Sequence, residues 1–308
     1  MEVNGDVYVV DFGRNWQERY FEAGLGSAGK PNSGGGLERM RAGFITHLHS
    51  DHIIDFPRLI GFGSSDGLLN RKQPLTIFGP PAPDFGPLIR ERANGDQIVD
   101  RDRPTKSAKE MFDLLVSAFS TDINDNILDS GRPNIHSYLD VVDIRFPSGV
   151  SPSVSDVAPD MEPFEIYRDE NVRVSAILVS HGPMYPVLAL RFDTDRASVT
   201  LSADTCPCEN LIRLAKGTDV LVHEANDHDA VRGRLDLSVP AQAAKYRHLV
   251  ESHTDLRELA GVATRAGAKT LVLSHVAPAL TEARVAETVV GFEGTVILAR
   301  PAMEIVLD

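Results

Sequence analysis

The six residues His47 to His52 hold three imidazoles and one carboxylate, in the order Thr46-His47-Leu48-His49-Ser50-Asp51-His52. Imidazole nitrogen and carboxylate oxygen are donors that zinc accepts, and two metals about 3.5–4 Å apart can clamp both the attacking and the leaving oxygen of a hydrolysis. Residues 42–46 read as a short buried strand leading into the motif. In an extended chain residues two apart point the same way, so His47 and His49 are placed to share one ion. A helix starting near Asp51, signalled by Ile53, Ile54, Leu59 and Ile60, projects Asp51 and His52 from its first turn toward a second ion. The pattern reads as a two-metal hydrolase.

This H-x-H-x-D-H order behind a strand resembles the metallo-β-lactamase superfamily, and the resemblance implies further ligands in chain order. His181 follows the apolar run at 174–179, Asp204 closes Leu201-Ser202-Ala203-Asp204, and His275 ends Thr270-Leu271-Val272-Leu273-Ser274. By resemblance His47, His49 and His181 hold one metal, Asp51, His52 and His275 hold the other, and Asp204 is shared. The implied cofactor is two Zn2+, with Mn2+ or Fe2+ as substitutes. The implied fold is α/β, the αββα four-layer sandwich of that superfamily, as a single domain over residues 1–308. Asp11, followed by Phe12-Gly13, matches the family's first motif and is implied to accept a hydrogen bond that orients a ligand histidine.

A narrower resemblance lies in the last third, where His223-Glu224-Ala225, Ser252-His253-Thr254 and Ser274-His275 look like the ribonuclease Z branch. In that branch a Glu and a later His deliver a proton to the leaving oxygen, and the roles carry over to Glu224 and His253. Two metals generate hydroxide near neutral pH but do not protonate a leaving alkoxide, so the chemistry needs such a pair. Asp51 is implied to orient the nucleophile or accept its proton. His223, His228 and His248 read as solvated or supporting histidines.

The substrate expectation rests on what is missing. Members of the branch that process tRNA carry a long basic arm between the positions matching His181 and Asp204, and here that interval is only residues 182–203. The formal net charge is −13, from 31 Lys and Arg against 44 Asp and Glu, which argues against a phosphate-gripping surface. The expectation is therefore a dinuclear zinc hydrolase of small esters, an aryl sulfate or a phosphodiester, using a metal-bridging hydroxide, with a small-molecule substrate rather than nucleic acid as partner. Two alternatives stand beside it: a ribonuclease Z-type tRNA 3′-processing endonuclease, and a lactonase or β-lactamase-like acyl hydrolase. The branch also includes homodimers.

Cys206 and Cys208 flank Pro207, too close in sequence for an ordinary structural disulfide, and read as reduced thiols. No apolar stretch is long enough to span a bilayer and residues 1–6 do not form a basic leader, so a cytoplasmic protein is expected. Asn4-Gly5 is a hairpin turn with only three residues in front of it. The resemblance thus implies a missing N-terminal edge strand, or a misplaced start with which a signal peptide was lost. Residues 24–36 form a Gly-rich loop before the motif. Residues 92–165 are the longest excursion between ligand motifs and are expected to be an inserted lid. Within them Ser107 and Glu110 form a capping box for a helix whose Met111, Phe112, Leu115, Ala118 and Phe119 share one face. Residues 294–299 and 303–307 are expected to pair as a closing hairpin.

Overall fold

Short runs of β-branched and aromatic residues, ended by polar or glycine turns, assemble two separate sheets. The computed structural model describes residues 1–26, 36–84 and 97–307. Most of the Gly-rich loop at 24–36 and the first residues of the 92–165 segment lie outside the described residues. The chain divides into two compact units, Met1–Arg145 with Pro301–Glu304, and Phe146–Arg300 with Ile305–Asp308.

The first unit has a five-stranded sheet in the order β1-β2-β3-β4-β5. Its strands are β1 (Glu2–Val3), β2 (Asp6–Val10), β3 (Met40–Phe44), β4 (Leu75–Gly79) and β5 (Leu139–Asp143). The Asn4-Gly5 turn is formed, with φ of 52° and 91°, and β1 pairs antiparallel with β2 through Glu2↔Val7 and Val3↔Asp6. From β2 to β5 all pairings are parallel. The intervening helices are α1 (Trp16–Glu22), α2 (Ser50–Ile53), α3 (Pro57–Phe62), α4 (Ala108–Ala118) and α5 (Ser120–Ser130). The capping box is present, Ser107 Oγ accepting from Glu110 N and Glu110 accepting from Ser107 N. Phe112 on α4 is fully buried in the core with Phe56, Leu59, Ile77 and Val141, and Met111 and Leu115 pack against it. Helix α5, by contrast, has no buried residue.

The second unit has a seven-stranded sheet in the order β12-β11-β10-β9-β8-β7-β6. The strands are β6 (Phe164–Arg168), β7 (Arg173–Leu178), β8 (Leu188–Asp193), β9 (Ser198–Leu201), β10 (Val220–Asn226), β11 (Thr270–Ala277) and β12 (Thr295–Leu298). β6 to β9 pair antiparallel and β9 to β12 pair parallel. Two antiparallel steps separate β7 from β9, so the two run in the same direction, and the C-terminal ends of β7, β9, β10 and β11 lie along one edge of this sheet. The buried apolar runs Val220, Leu221 and Leu271 to Leu273 suit parallel strands covered on both faces. The helices are α6 (Glu209–Leu214), α7 (His228–Arg232), α8 (Pro240–Ser252), α9 (Leu259–Ala266) and α10 (Glu282–Thr288).

The closing hairpin does not form. β12 runs parallel to β11, and residues 303–307 are not a strand. Pro301 has no N–H to donate to a ladder and Ala302 turns the chain at φ 56°, so the apolar residues beyond it do not continue as a strand. Among the described residues no helix is long and apolar enough to cross a membrane.

Candidate metal-binding residues

In the first unit the site begins where β2 and β3 end side by side. β3 stops at Phe44, and the chain continues extended through His49 (φ −68°, ψ 147°) into α2. Extended backbone keeps His47 and His49 on one side, and their rings are 4.8 Å apart. Asp51 and His52 come from the first turn of α2, with Asp51 Oδ2 3.8 Å from His52 Nε2.

Asp11 ties this loop to the neighbouring strand. Its Oδ1 accepts from Thr46 N at 2.8 Å, while Oδ2 accepts from Thr46 Oγ1 at 2.9 Å and bonds His52 Nδ1 at 2.7 Å. That contact fixes the His52 tautomer so that Nε2 is the nitrogen able to bind a metal. Asp11 achieves it in the left-handed region, φ 62°. Two residues on, a Cβ at Gly13 would lie 2.2 Å from Asp51 O, so only glycine lets this turn close against α2. Replacing Asp11 with Asn, which tolerates the same backbone, should lower metal affinity by about 10–100-fold. Retention of metal against graded chelator measures this, and retention equal to the parent would show that the carboxylate does not orient His52.

In the second unit three side chains come from three strand ends. His181 follows β7, and its Nδ1 is bonded to Ser252 O at 2.7 Å, directing Nε2 toward Asp204, whose Oδ2 is 3.9 Å away. Gly182 makes this possible: at φ 55°, any Cβ there would meet Ser252 Oγ at 2.2 Å. Asp204 follows β9 and is 2% exposed. Its Oδ1 lies 3.5 Å from Nδ1 of His275. Two donors on one tetrahedral zinc, each about 2.0–2.2 Å from the ion, lie roughly 3.3–3.6 Å apart, so the donor type and spacing of these residues fit metal ligands.

His275 reaches this position through a bulge in β11. Glu224 pairs with Ser274 and Ala225 with Val276, leaving His275 as the extra residue at φ 47°. Bulges re-aim a side chain at the rim of a sheet. Ala203, just before Asp204, is also left-handed at φ 54°. Non-glycine residues in this region cost stability and persist where the surroundings fix them.

Glu224 projects from β10 and is 3% exposed. Its Oε1 accepts from Thr205 N at 3.1 Å and Thr254 N at 3.2 Å, and bonds His253 Nδ1 at 3.0 Å. Burial pushes the Glu224 carboxyl above its usual range, opposed by the His253 contact. The His253 ring lies 4.8 Å from that of His181 and stacks, at 11°, on that of His275 6.3 Å away.

The other histidines differ from one another. His223 is wholly buried, and burial lowers its pKa to about 4, so it is a neutral packing residue. His228 Nδ1 faces Asp255 at 3.2 Å. His248 is exposed, yet its ring is 6.4 Å from both His181 and His253. Sequence reasoning missed this proximity, and it missed the Ser252 carbonyl and the Thr205 and Thr254 amides. Backbone groups leave no side-chain signature, and helix α8, which carries His248, has no apolar stripe to announce it.

No family model matches the chain. The chain is 27% identical over 280 residues to ribonuclease Z of Mycobacterium bovis (strain BCG / Pasteur 1173P2), covering 91% of this chain and 79% of that protein. Ribonuclease Z of Mycobacterium marinum is 26% identical over 286 residues, with the same shares covered. The short form of human tRNase Z superposes with a TM-score of 0.59 at 19% identity, over 100% of this chain and 91% of that one. The metallo-β-lactamase fold protein YhfI of Bacillus subtilis gives 0.54 at 15% identity, over 97% and 87%.

The two sheets with helices, and the histidines and carboxylates at their strand ends, define a metallo-β-lactamase fold protein. Within that superfamily the chain is similar to the ribonuclease Z-like branch. It is a metal-dependent hydrolase with the residues for a dinuclear site. The relatives overturn two expectations: the aryl sulfate or other small-molecule ester as substrate, and the argument against nucleic acid as a partner. Both rested on net charge and a missing arm. Net charge is a sum over the whole surface and does not report on a local patch.

Proposed function

We propose that this protein is a phosphodiesterase of ribonuclease Z type that processes the 3′ end of precursor tRNA. Its similarity to curated ribonuclease Z over 91% of the chain carries this reading. The buried Glu224–His253 pair supports it, because phosphodiester cleavage expels an oxygen that needs a proton.

His47, His49 and His181 would hold one metal, Asp51, His52 and His275 the other, with Asp204 shared, following the ligand order of the superfamily. Bound there, two divalent metals supply an activated water and neutralise charge on the phosphodiester oxygens. The chain's own groups do the rest. Asp51 orients the attacking water or accepts its proton. His253 donates its Nδ1–H to Glu224, which holds the ring in one orientation and stabilises its protonated form. The proton on Nε2 then passes to the leaving oxygen.

The test is cleavage of precursor tRNA bearing a 3′ trailer by the metal-loaded protein, with bis-p-nitrophenyl phosphate as a small diester. Cut products mapping to the tRNA 3′ end are expected. Turnover of the small diester with no cleavage of the precursor would overturn the reading.

A further inference from the structure

Residues 231–248 carry four cations, Arg232, Arg234, Lys245 and Arg247, against one acid, Asp236, in a chain where acids outnumber cations 44 to 31. All four are exposed, and among the described residues none makes an ion pair. The acids nearby are already engaged. Asp227 is held by Arg284 at 2.7 Å, Asp255 by Arg257 at 2.6 Å and Asp229 by Arg257 at 3.1 Å. Asp236 accepts from Ser238 N and Oγ. Glu251, four residues after Arg247, adds one more acid on α8, so residues 231–251 still carry four cations against two acids.

Its position is equally informative. Helix α8 ends at Ser252, and His253 is its C-cap. Lys245, His248 and Ser252 lie three and four residues apart, on one face of α8 leading toward His253. His248 lies 6.4 Å from His181 and His253, so this face runs from open surface to the catalytic histidine. The guanidinium of Arg232 on α7 sits 6.0 Å from the Tyr246 ring, joining α7 to the same patch. Arg232 lies in the last turn of α7, where a helix C-terminus attracts cations, but α8 has no cation in its last turn, so Lys245 and Arg247 gain nothing from its dipole.

We propose that the exposed surface of α7 and of the Lys245 side of α8 is an RNA-phosphate surface, on which Arg232, Arg234 and Lys245 hold the backbone of the strand whose scissile bond enters the site, while Arg247, two residues from Lys245, lies on the opposite side of α8. This rests on the tRNA-processing reading and supplies the phosphate grip that the short 182–203 interval, filled by β8 and β9, does not.

The experiment compares the parent with the double variant Arg232→Ala/Arg234→Ala, with Lys245→Ala, and with the three combined. Two readouts are taken: Kd for precursor tRNA between about 50 and 200 mM salt, and turnover of bis-p-nitrophenyl phosphate. Each cation removed should lower the slope of log Kd against log salt by about one and weaken binding, because each phosphate contact releases counterions. Small-diester turnover should stay within about twofold of the parent, which also shows that the variants are folded. Variants with the parent's affinity and salt slope would overturn the surface and leave the tRNA reading standing. A parent that hydrolyses the small diester but neither binds nor cuts precursor tRNA would overturn both.

Discussion

Replacing His253 with alanine should lower turnover of precursor tRNA by about 10²–10⁴-fold while the metal content stays at the parent level. The expectation comes from the contacts of His253, whose Nδ1 is committed to the buried Glu224 carboxylate. A group so held is a proton donor in a fixed orientation rather than a ligand in search of an ion. His253 does lie close enough to His181 and Asp204 for the three to hold an ion together, so the metal count is the discriminating measurement. The loss should shrink for diesters whose leaving oxygen is acidic, such as p-nitrophenolate, because they depart without a proton. A His253→Ala protein that sheds metal, or that keeps full activity on poor leaving groups, would show the pair to be misassigned.

Changing Asp204 to asparagine should remove metal and depress turnover by about 10³-fold or more, since several kcal/mol of charge stabilisation are lost at about 1.4 kcal/mol per tenfold. Asp204 is buried between His181 and His275, 3.9 Å and 3.5 Å away. A buried carboxylate between two imidazoles is what a shared ligand requires. The amide keeps its shape, so the thermal transition of the metal-free protein should change little. A variant that retains two metals and parental turnover would remove Asp204 from the site.

Part of this arrangement was legible from spacing, and the order of the later ligands and the role of Asp11 came from the family resemblance. An apolar run that stops at a polar residue marks a strand end, and His181 and Asp204 each follow a strand while His275 sits near the end of one. The period of two placed His47 beside His49, and the Asp11-Phe12-Gly13 triplet indicated the carboxylate that orients His52. The bulge that aims His275 was hidden because a histidine at φ 47° breaks the rule that glycine marks left-handed backbone. Helix α8 was hidden because only Ser252 of its residues is buried, so no apolar periodicity existed to be read. The tail failed for the opposite reason: its apolar residues are real, but Pro301 and Ala302 turn the chain before them and residues 303–307 are not a strand. The substrate was misjudged because a whole-chain charge of −13 is a sum over the surface and does not report on a local patch.

One oxygen of Glu224 fastens the loop after β9, the residue after His253 and the imidazole itself. The His253 imidazole is thus anchored from the sheet, while the helix that leads up to it holds the His253 backbone through Leu249 O. The exposed side chains between β10 and Ser252 are consequently open to exchange while the imidazole keeps its anchor, provided Ser252 keeps its carbonyl on His181 and Leu249 its bond to His253 N. On the proposed reading, recognition and proton delivery occupy one continuous stretch as separable modules, and changing the exposed cations of α7 and α8 should alter what is bound without moving the Glu224 anchor.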